Sequence, residues 1–436
     1  MSLGETLPVG TGPGEAWAAP AASDPLDALV DVPGSKSLTA RYLVLAALSE
    51  TPVRLRGGLR SRDSALMIAA LRSLGASVDD AGDAWTITPG PLRGGADVFC
   101  GLAGTVMRFV PPMVLLADGP VSFDGDDAAR VRPMAPLFDA LRALGARVDD
   151  DGRGALPCTV TPPDAVASEV AVDASTSSQF VTALLLVAPR LPHGLTIRHV
   201  GARLPSLPHI DMTCATLREA GVHIDQPDAT TWVVHPGPVR LRDVRVEPDL
   251  SNAGPFMAAA LVAGGEVRIP GWPASTTQPG ALYPELLARM GGSCSLEGDV
   301  MTVRGDGTIR GIEADLSPAG EITPTIAALC SLADGPSRLT GIGHLRGHET
   351  DRLAAIQDEV RRLGGECDAG DDWLAFGGMP AAGLRPAAVE SYEDHRMATF
   401  GAIVGLAVNG TQVINVGTTA KTMPEFPAMW KAMLRP

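Results

Sequence analysis

Apolar and polar positions in this chain repeat on a scale far longer than a helix turn. An amphipathic helical stretch, a Leu-Gly pair or near equivalent, a short strand, a turn and a second strand recur as one block. The block appears as Leu74-Gly75-Ala76-Ser77-Val78-Asp79, Leu144-Gly145-Ala146-Arg147-Val148-Asp149 and Ala220-Gly221-Val222-His223-Ile224-Asp225. Weaker copies are Met290-Gly291-Gly292-Ser293-Cys294 and Leu363-Gly364-Gly365-Glu366-Cys367, so the glycines lie 70, 76, 70 and 73 residues apart. Each glycine stands where a helix ends, the left-handed position after a C-cap. Second strands are expected at Trp85-Thr86-Ile87-Thr88, Thr159-Val160-Thr161, Trp232-Val233-Val234, Met301-Thr302-Val303 and Trp373-Leu374-Ala375-Phe376. The spacing leaves room for a sixth unit, built on a C-terminal helix around Pro427 to Met433 with strands borrowed from the other end of the chain. Six helix-strand units form either one ring or two lobes of three. A Leu-Gly pair after a helix is common by chance, but five at near-constant spacing, each before a strand pair, favour a true repeat.

Length and composition agree with that picture. At 436 residues the chain exceeds one ordinary core. Its 45% apolar, 19% charged and 4% aromatic residues suit tight packing of small side chains. A net charge of −15 argues against nonspecific binding to nucleic acid or an anionic membrane, which needs a basic face. Cys100, Cys158, Cys214, Cys294, Cys330 and Cys367 show no CxxC spacing and read as reduced, mostly buried thiols. No 18-residue apolar run and no basic-then-apolar leader are seen, so a cytoplasmic protein is expected. Residues 1–24, rich in Gly, Pro and Ala, are expected to be a disordered extension.

An acidic chain makes clustered cations informative. Pro33-Gly34-Ser35-Lys36-Ser37, followed by Arg41 and the apolar run Tyr42 to Leu48, reads as a helix start able to seat an anion. An ordinary N-cap with solvated cations explains the pentapeptide equally well, and it is not a P-loop. Gly101-Leu102-Ala103-Gly104-Thr105 before the apolar segment Val106 to Leu116 places Arg108 in a first turn, though packing explains it as well. Arg130-Val131-Arg132-Pro133 alone reads as a solvated loop. Ser175-Thr176-Ser177-Ser178-Gln179 offers four hydroxyls before a buried helix, more than one N-cap requires, and favours an anionic or sugar-like ligand. His344, His348 and Glu349 invite a metal reading, but Gly347 and the absence of HExxH argue against it. Glu349 and Arg352 look instead like an acid beside an anion ligand. Tyr392-Glu393-Asp394-His395-Arg396-Met397 and Thr419-Ala420-Lys421-Thr422 again put a cation at a helix start. Lys36, Arg41, Arg132, Arg352, Arg396 and Lys421 therefore converge on a multiply charged small molecule.

The motif set resembles the 5-enolpyruvylshikimate-3-phosphate synthase family of the shikimate pathway. It consists of PGSKS at 33–37, LAGT-x-MR at 102–108, RP at 132–133, SSQF at 177–180, SLPHID at 206–211, HETDR at 348–352, DHRM at 394–397 and AKT at 420–422. The resemblance implies an α/β fold, the two-lobed inside-out α/β barrel. Each lobe then has three βαβαββ units in pseudo-threefold symmetry, one lobe over 36–245 and the other over 25–35 plus 246–436. It implies transfer of the enolpyruvyl group of phosphoenolpyruvate to the 5-hydroxyl of shikimate 3-phosphate, releasing phosphate through a tetrahedral intermediate.

By the same resemblance Lys36, Ser37, Arg41, Ser177, Ser178, Gln179, Ser206, Glu321, His344 and His348 hold shikimate 3-phosphate. Lys36, Gly104, Arg132, Gln179, Arg352, Arg396 and Lys421 hold phosphoenolpyruvate. Glu321 is the expected base, standing where an aspartate is usual; Glu349 delivers the proton to the methylene carbon, and Lys36 and Lys421 complete the catalytic set. Ala40, Leu102, His344 and His348 depart from the commoner pattern. A monomer without metal or other cofactor is implied, one sensitive to glyphosate because Gly104 has no side-chain methyl. A UDP-N-acetylglucosamine enolpyruvyl transferase is the alternative in this fold, but its usual loop cysteine is missing from Asp124 to Pro133. A noncatalytic phosphoanion-binding protein would not need both Glu321 and Glu349.

Overall fold

The computed structural model describes residues 14–202, 204, 206–347 and 349–435. They gather into two compact units, Gly34–Glu247 and the chain up to Pro33 together with Pro248 onward. Gly34, Ser35, Val246 and Glu247, assigned by sequence to the second lobe, belong with the first. There the Ser35 N–H donates to the Glu247 carbonyl (2.8 Å) and the Val246 N–H to that of Arg56 (2.9 Å).

The Gly34–Glu247 unit holds three four-stranded sheets of one topology. In each, the first strand runs parallel to the second, and a hairpin adds the other two antiparallel. One sheet is Ala96–Phe99, Val121–Asp124, Cys158–Thr161 and Arg147–Asp149 in spatial order. Another is Glu169–Val172, Leu195–His199, Thr231–Val234 and Ile224–Asp228. The third takes its first strand, Val244–Arg245, from the end of the unit to pair with Val53–Arg56.

The other unit repeats this arrangement with Leu26–Leu29 and Glu313–Asp315 as first strands of its two four-stranded sheets. Its third sheet has three strands, Ala388–Glu390, Gln412–Ile414 and Ala16–Ala18. The expectation of a disordered stretch through residue 24 is therefore corrected for residues 14–24. Ala16–Ala18 pairs antiparallel with Gln412–Ile414, and the Trp17 ring lies 6.4 Å from that of Phe426. This is the strand borrowed from the other chain end that a sixth unit requires. Residues 1–13 lie outside the described set.

The repeat has a plain physical cause. Gly75, Gly145, Gly221, Gly291 and Gly364 all have φ between 79° and 107°, the left-handed turn that ends a helix and starts a strand. Three residues after each, Val78, Val148, Ile224, Cys294 and Cys367 pair across the hairpin with Ile87, Val160, Val234, Val303 and Phe376. A slip of one residue would turn these pairs out of the core.

The first helix of each repeat is apolar all round and the second is amphipathic. The first helices are α1 (Lys36–Ala47), α2 (Gly104–Phe109), α3 (Gln179–Val187), α4 (Leu250–Ala263), α5 (Thr323–Leu332) and α6 (His395–Ala407). Nearly every residue of each is buried, as a helix without a polar face must be. Within their own units α2 and α1 pack on α3, and α4, α5 and α6 on one another. Pro111 and Pro112 end α2 early, and Pro111–Leu116 continues as a 3₁₀ helix. Apart from Arg41, the charged residues of such helices lie at their ends, which is where most of the candidate residues sit. Among the described residues no helix is long and apolar enough to cross a membrane.

Candidate active site

In the Gly34–Glu247 unit the N-termini of α1, α2 and α3 carry the site residues. Ser35 caps α1 by accepting from the Leu38 N–H (3.4 Å), and Lys36 opens the helix with Nζ 3.7 Å from Asp63 Oδ2. Arg41 is buried one turn further on. It donates from Nε to Thr213 Oγ1 and from Nη1 and Nη2 to the Ser37 and His209 carbonyls, each at 2.8 Å. These oxygens are neutral, and the bonds tie the α1 start to the helix Leu207–Glu219. Ser37 thus offers its carbonyl to Arg41. Ser206, capping that second helix, has φ 55°, a left-handed conformation that costs a serine roughly 1–2 kcal/mol.

Two guanidinium groups meet at the start of α2. A Cβ placed on Gly104 would lie 3.0 Å from Arg108 Nη1 and 3.1 Å from Arg132 Nη1. Arg108 is buried, lies 5.7 Å over the Phe180 ring, and its Nε finds no hydrogen-bond partner. Burial pushes its pKa down to about 9, with the like charge of Arg132 adding to the effect. Two cations beside a helix N-terminus form a seat for an anion that neutralises both. Ser177 Oγ accepts from the Gln179 N–H (3.3 Å) ahead of α3, the Ser178 hydroxyl makes no cap bond, and Gln179 Oε1 is buried without a partner.

The other unit concentrates acids with its cations. Asp394 caps α6 by accepting from the Arg396 N–H (2.8 Å) and takes a forked bond from Arg352, Nε to Oδ2 at 2.7 Å and Nη2 to Oδ1 at 3.2 Å. Both partners are almost fully buried. Arg352 Nη2 lies 3.6 Å from Glu349 Oε2, His395 Nδ1 lies 3.2 Å from the same oxygen, and Lys421 Nζ contacts Glu349 Oε1. Burial alone would raise the Glu349 carboxyl; His395, Lys421 and Arg352 outweigh it and hold the group well below the usual carboxylate range. Burial pulls His395 below its ordinary value against the attraction of Glu349.

Glu321 lies in the 3₁₀ turn Gly320–Ile322 ahead of α5. It is in contact with the Ser251 hydroxyl of α4, and Arg396 Nη2 is 3.7 Å from Oε2. One carboxylate therefore links the starts of α4, α5 and α6. A Cβ on Gly320 would fall 2.2 Å from His344 Nε2, so the missing side chain makes room for that ring beside Glu321. Tyr392 and Glu393, at φ 53° and 56°, form the strained turn that presents Asp394, His395 and Arg396.

Lys36, Ser37, Arg41, Gly104, Arg132, Ser177, Ser178, Gln179 and Ser206 thus belong to one unit, and Glu321, His344, Glu349, Arg352, Arg396 and Lys421 to the other. His348 lies outside the described residues. Sequence reasoning missed Arg108, Asp394, His395, Ser251 and Asp63. The first three stand inside quoted motifs; for Arg108 a lone charge in an apolar segment was the available signal, whereas Asp394 and His395 lie in a run of charged residues from Glu393 to Arg396. Glu349, Asp394 and His395 are close enough to hold a metal ion, but the forked Arg352 bond and Lys421 already balance these carboxylates with cations.

Comparison with known proteins follows the same lines. A family model described as EPSP synthase (3-phosphoshikimate 1-carboxyvinyltransferase) matches residues 20–430. A 3-phosphoshikimate 1-carboxyvinyltransferase of Bifidobacterium longum is 52% identical over 436 aligned positions, covering 96% of this chain and 98% of its own. One of Kocuria rhizophila is 53% identical over 431 positions, covering 96% of each. Among solved structures, EPSP synthase from Acinetobacter baumannii superimposes with a TM-score of 0.83 at 22% identity, over 96% of this chain and 98% of that one. The enolpyruvyl transferase NikO from Streptomyces tendae gives 0.74 at 20% identity, over 97% and 98%. At such identities the structures show a shared fold, the enolpyruvyl transferase fold.

Proposed function

The chain belongs to the EPSP synthase (3-phosphoshikimate 1-carboxyvinyltransferase) family, and from that premise we propose how its polar helix ends divide the reaction. The enzyme transfers the enolpyruvyl group of phosphoenolpyruvate to the 5-hydroxyl of shikimate 3-phosphate and releases phosphate, a step toward the aromatic amino acids. Lys36, Ser37, Ser177, Ser178, Gln179 and Ser206 bind shikimate 3-phosphate together with Glu321 and the histidines at 344 and 348. Arg41 holds the α1 start and the Ser206 helix in register for that substrate. Gly104, Arg132, Arg352, Arg396 and Lys421 bind phosphoenolpyruvate, with Lys36 and Gln179 shared and Arg108 added to the Arg132 seat. The same proposal has a cytoplasmic monomer that works without nucleic acid, membrane, metal or other cofactor.

The chemistry requires a base at the 5-hydroxyl and an acid at C3 of phosphoenolpyruvate. Glu321 takes the hydroxyl proton as oxygen attacks C2, and Glu349 delivers a proton to C3, giving the tetrahedral phosphate ketal. Loss of phosphate, which departs with the proton that Glu321 took, and return of a C3 proton to Glu349 then form the enol ether and restore both carboxyl groups. The observation that carries this reading is Glu349 among Lys421, Arg352 and His395. In the free enzyme its depressed pKa keeps it ionised, the wrong state for an acid. Phosphoenolpyruvate brings carboxylate and phosphate charges to Arg352 and Lys421, which offsets their hold on Glu349 and raises its pKa. Substrate binding thus prepares the acid.

Glu321→Ala tests the division of labour. Binding of shikimate 3-phosphate is expected to persist, within a fewfold by calorimetry, while turnover falls by about 10² to 10⁴. Near-normal turnover would remove Glu321 as the base.

A further inference from the structure

On the hairpin Ile224–Asp228 and Thr231–Val234 of the Gly34–Glu247 unit lies a side-chain cluster that the proposed reaction does not use. The register pairs Ile224 with Val234 and Asp225 with Val233. Continued by one step it sets His223 opposite His235, whose N–H donates to the His223 carbonyl at 3.0 Å. Strand side chains alternate, so His223, Asp225 and His235 share one face while Ile224 and Val234 enter the core from the other.

Both imidazoles present the same atom to the same carboxylate. His235 Nε2 is 2.8 Å from Asp225 Oδ2, and His223 Nε2 is 3.5 Å from Oδ1. The rings stack with centroids 4.4 Å apart and planes at 23°. An ordinary surface ion pair needs one histidine and leaves the second ring free to turn elsewhere. Four-coordinate zinc, with bonds of about 2.0–2.1 Å, sets neighbouring ligand atoms about 3.3 Å apart. The observed 2.8 and 3.5 Å separations run to different oxygens of Asp225, and one ligand atom from each of the three residues lies within 4.8 Å of the other two, a set that small side-chain rotations bring to that spacing. With 70% of the His223 and 44% of the His235 side chain exposed, an ion has open access.

We propose that His223, Asp225 and His235 form a binding site for a divalent transition-metal ion of the zinc class, with two Nε2 atoms and one carboxylate oxygen as ligands and water completing the shell. Imidazole donors select zinc, copper or nickel over magnesium and calcium. Each ring carries its proton on Nδ1 when Nε2 binds the ion. The ion joins two adjacent strand ends and stabilises the folded unit by mass action, apart from the transfer reaction.

The test is calorimetric titration of the full chain with Zn²⁺, alongside His223→Gln and His235→Gln. Wild type is expected to bind one ion that each substitution weakens on the order of tenfold or more, while Mg²⁺ leaves the site empty. Zn²⁺ should raise the unfolding temperature of wild type by a few degrees or less and leave both variants unmoved. Phosphate release from the two substrates should be equal in wild type and variants, with or without chelator. Failure of wild type to bind Zn²⁺, or variants that bind it as tightly as wild type, would overturn the assignment. Loss of phosphate release in both variants would overturn the separation of this site from the reaction.

Discussion

Asp394→Asn removes one charge from a pair that has almost no water around it. Asp394 is fully covered and Arg352 nearly so, joined by the 2.7 and 3.2 Å bonds. Loss of one partner from a buried ion pair costs about 3–5 kcal/mol, because the other charge stays desolvated. Asparagine retains an oxygen for the Arg396 N–H, and Glu349 at 3.6 Å from Arg352 supplies part of the missing charge, so the cost falls near the lower end. A loss of about 3 kcal/mol moves the urea midpoint down by about 1 M for a slope of about 3 kcal/mol per M.

Linkage gives that experiment a second arm. Burial raises the Asp394 pKa, but Arg352 and His395 more than offset it, and the folded value lies below the ordinary one. A carboxylate with a depressed folded pKa stabilises above its unfolded pKa, about 3.9, and loses that contribution as pH falls through the folded value. The gap between wild type and Asp394→Asn should therefore be constant near neutrality and shrink below about pH 4. Equilibrium urea unfolding at several pH values measures both. An unchanged midpoint at pH 7, or a gap that grows on acidification, would refute the reasoning.

Gly104→Ala puts a methyl about 3 Å from two guanidinium groups, which must shift. The KM for phosphoenolpyruvate is expected to rise on the order of tenfold, about 1.4 kcal/mol, with little change for shikimate 3-phosphate; equal effects on both would place Gly104 elsewhere. Millimolar glyphosate should inhibit the wild type and act less strongly on this variant in the same assay. Lys421→Met removes a cation in contact with Glu349, so carbon-13 NMR of that carboxyl should show its titration moving up toward the ordinary range. An unmoved titration would mean that His395 and Arg352 hold it without help from Lys421.

The scaffold was legible where one physical requirement recurs. Five left-handed glycines, each three residues before a core-facing strand position, mark five hairpins. Ala16–Ala18 escaped notice because a three-residue edge strand inside a Gly/Pro/Ala-rich stretch has no period to read, and its partner is almost 400 residues away. Lys36, Arg132, Arg352, Arg396 and Lys421 stood out as cations at loop-to-helix junctions in an acidic chain. Their partners did not. Arg108 sits in an apolar helix and reads as packing, and Asp394, which caps α6, lies in a stretch that stood out for its cation. The left-handed serine at 206 and the room Gly320 leaves for His344 depend on tertiary contacts, on which local pattern is silent.

Phosphate release with defined acceptors examines the proposed chemistry at its root. Phosphoenolpyruvate with shikimate 3-phosphate should yield inorganic phosphate and the enolpyruvyl ether in equal amounts, whereas UDP-N-acetylglucosamine in place of shikimate 3-phosphate should yield neither. Silence with shikimate 3-phosphate under conditions where a control synthase turns over, or release with the UDP-sugar instead, would contradict it.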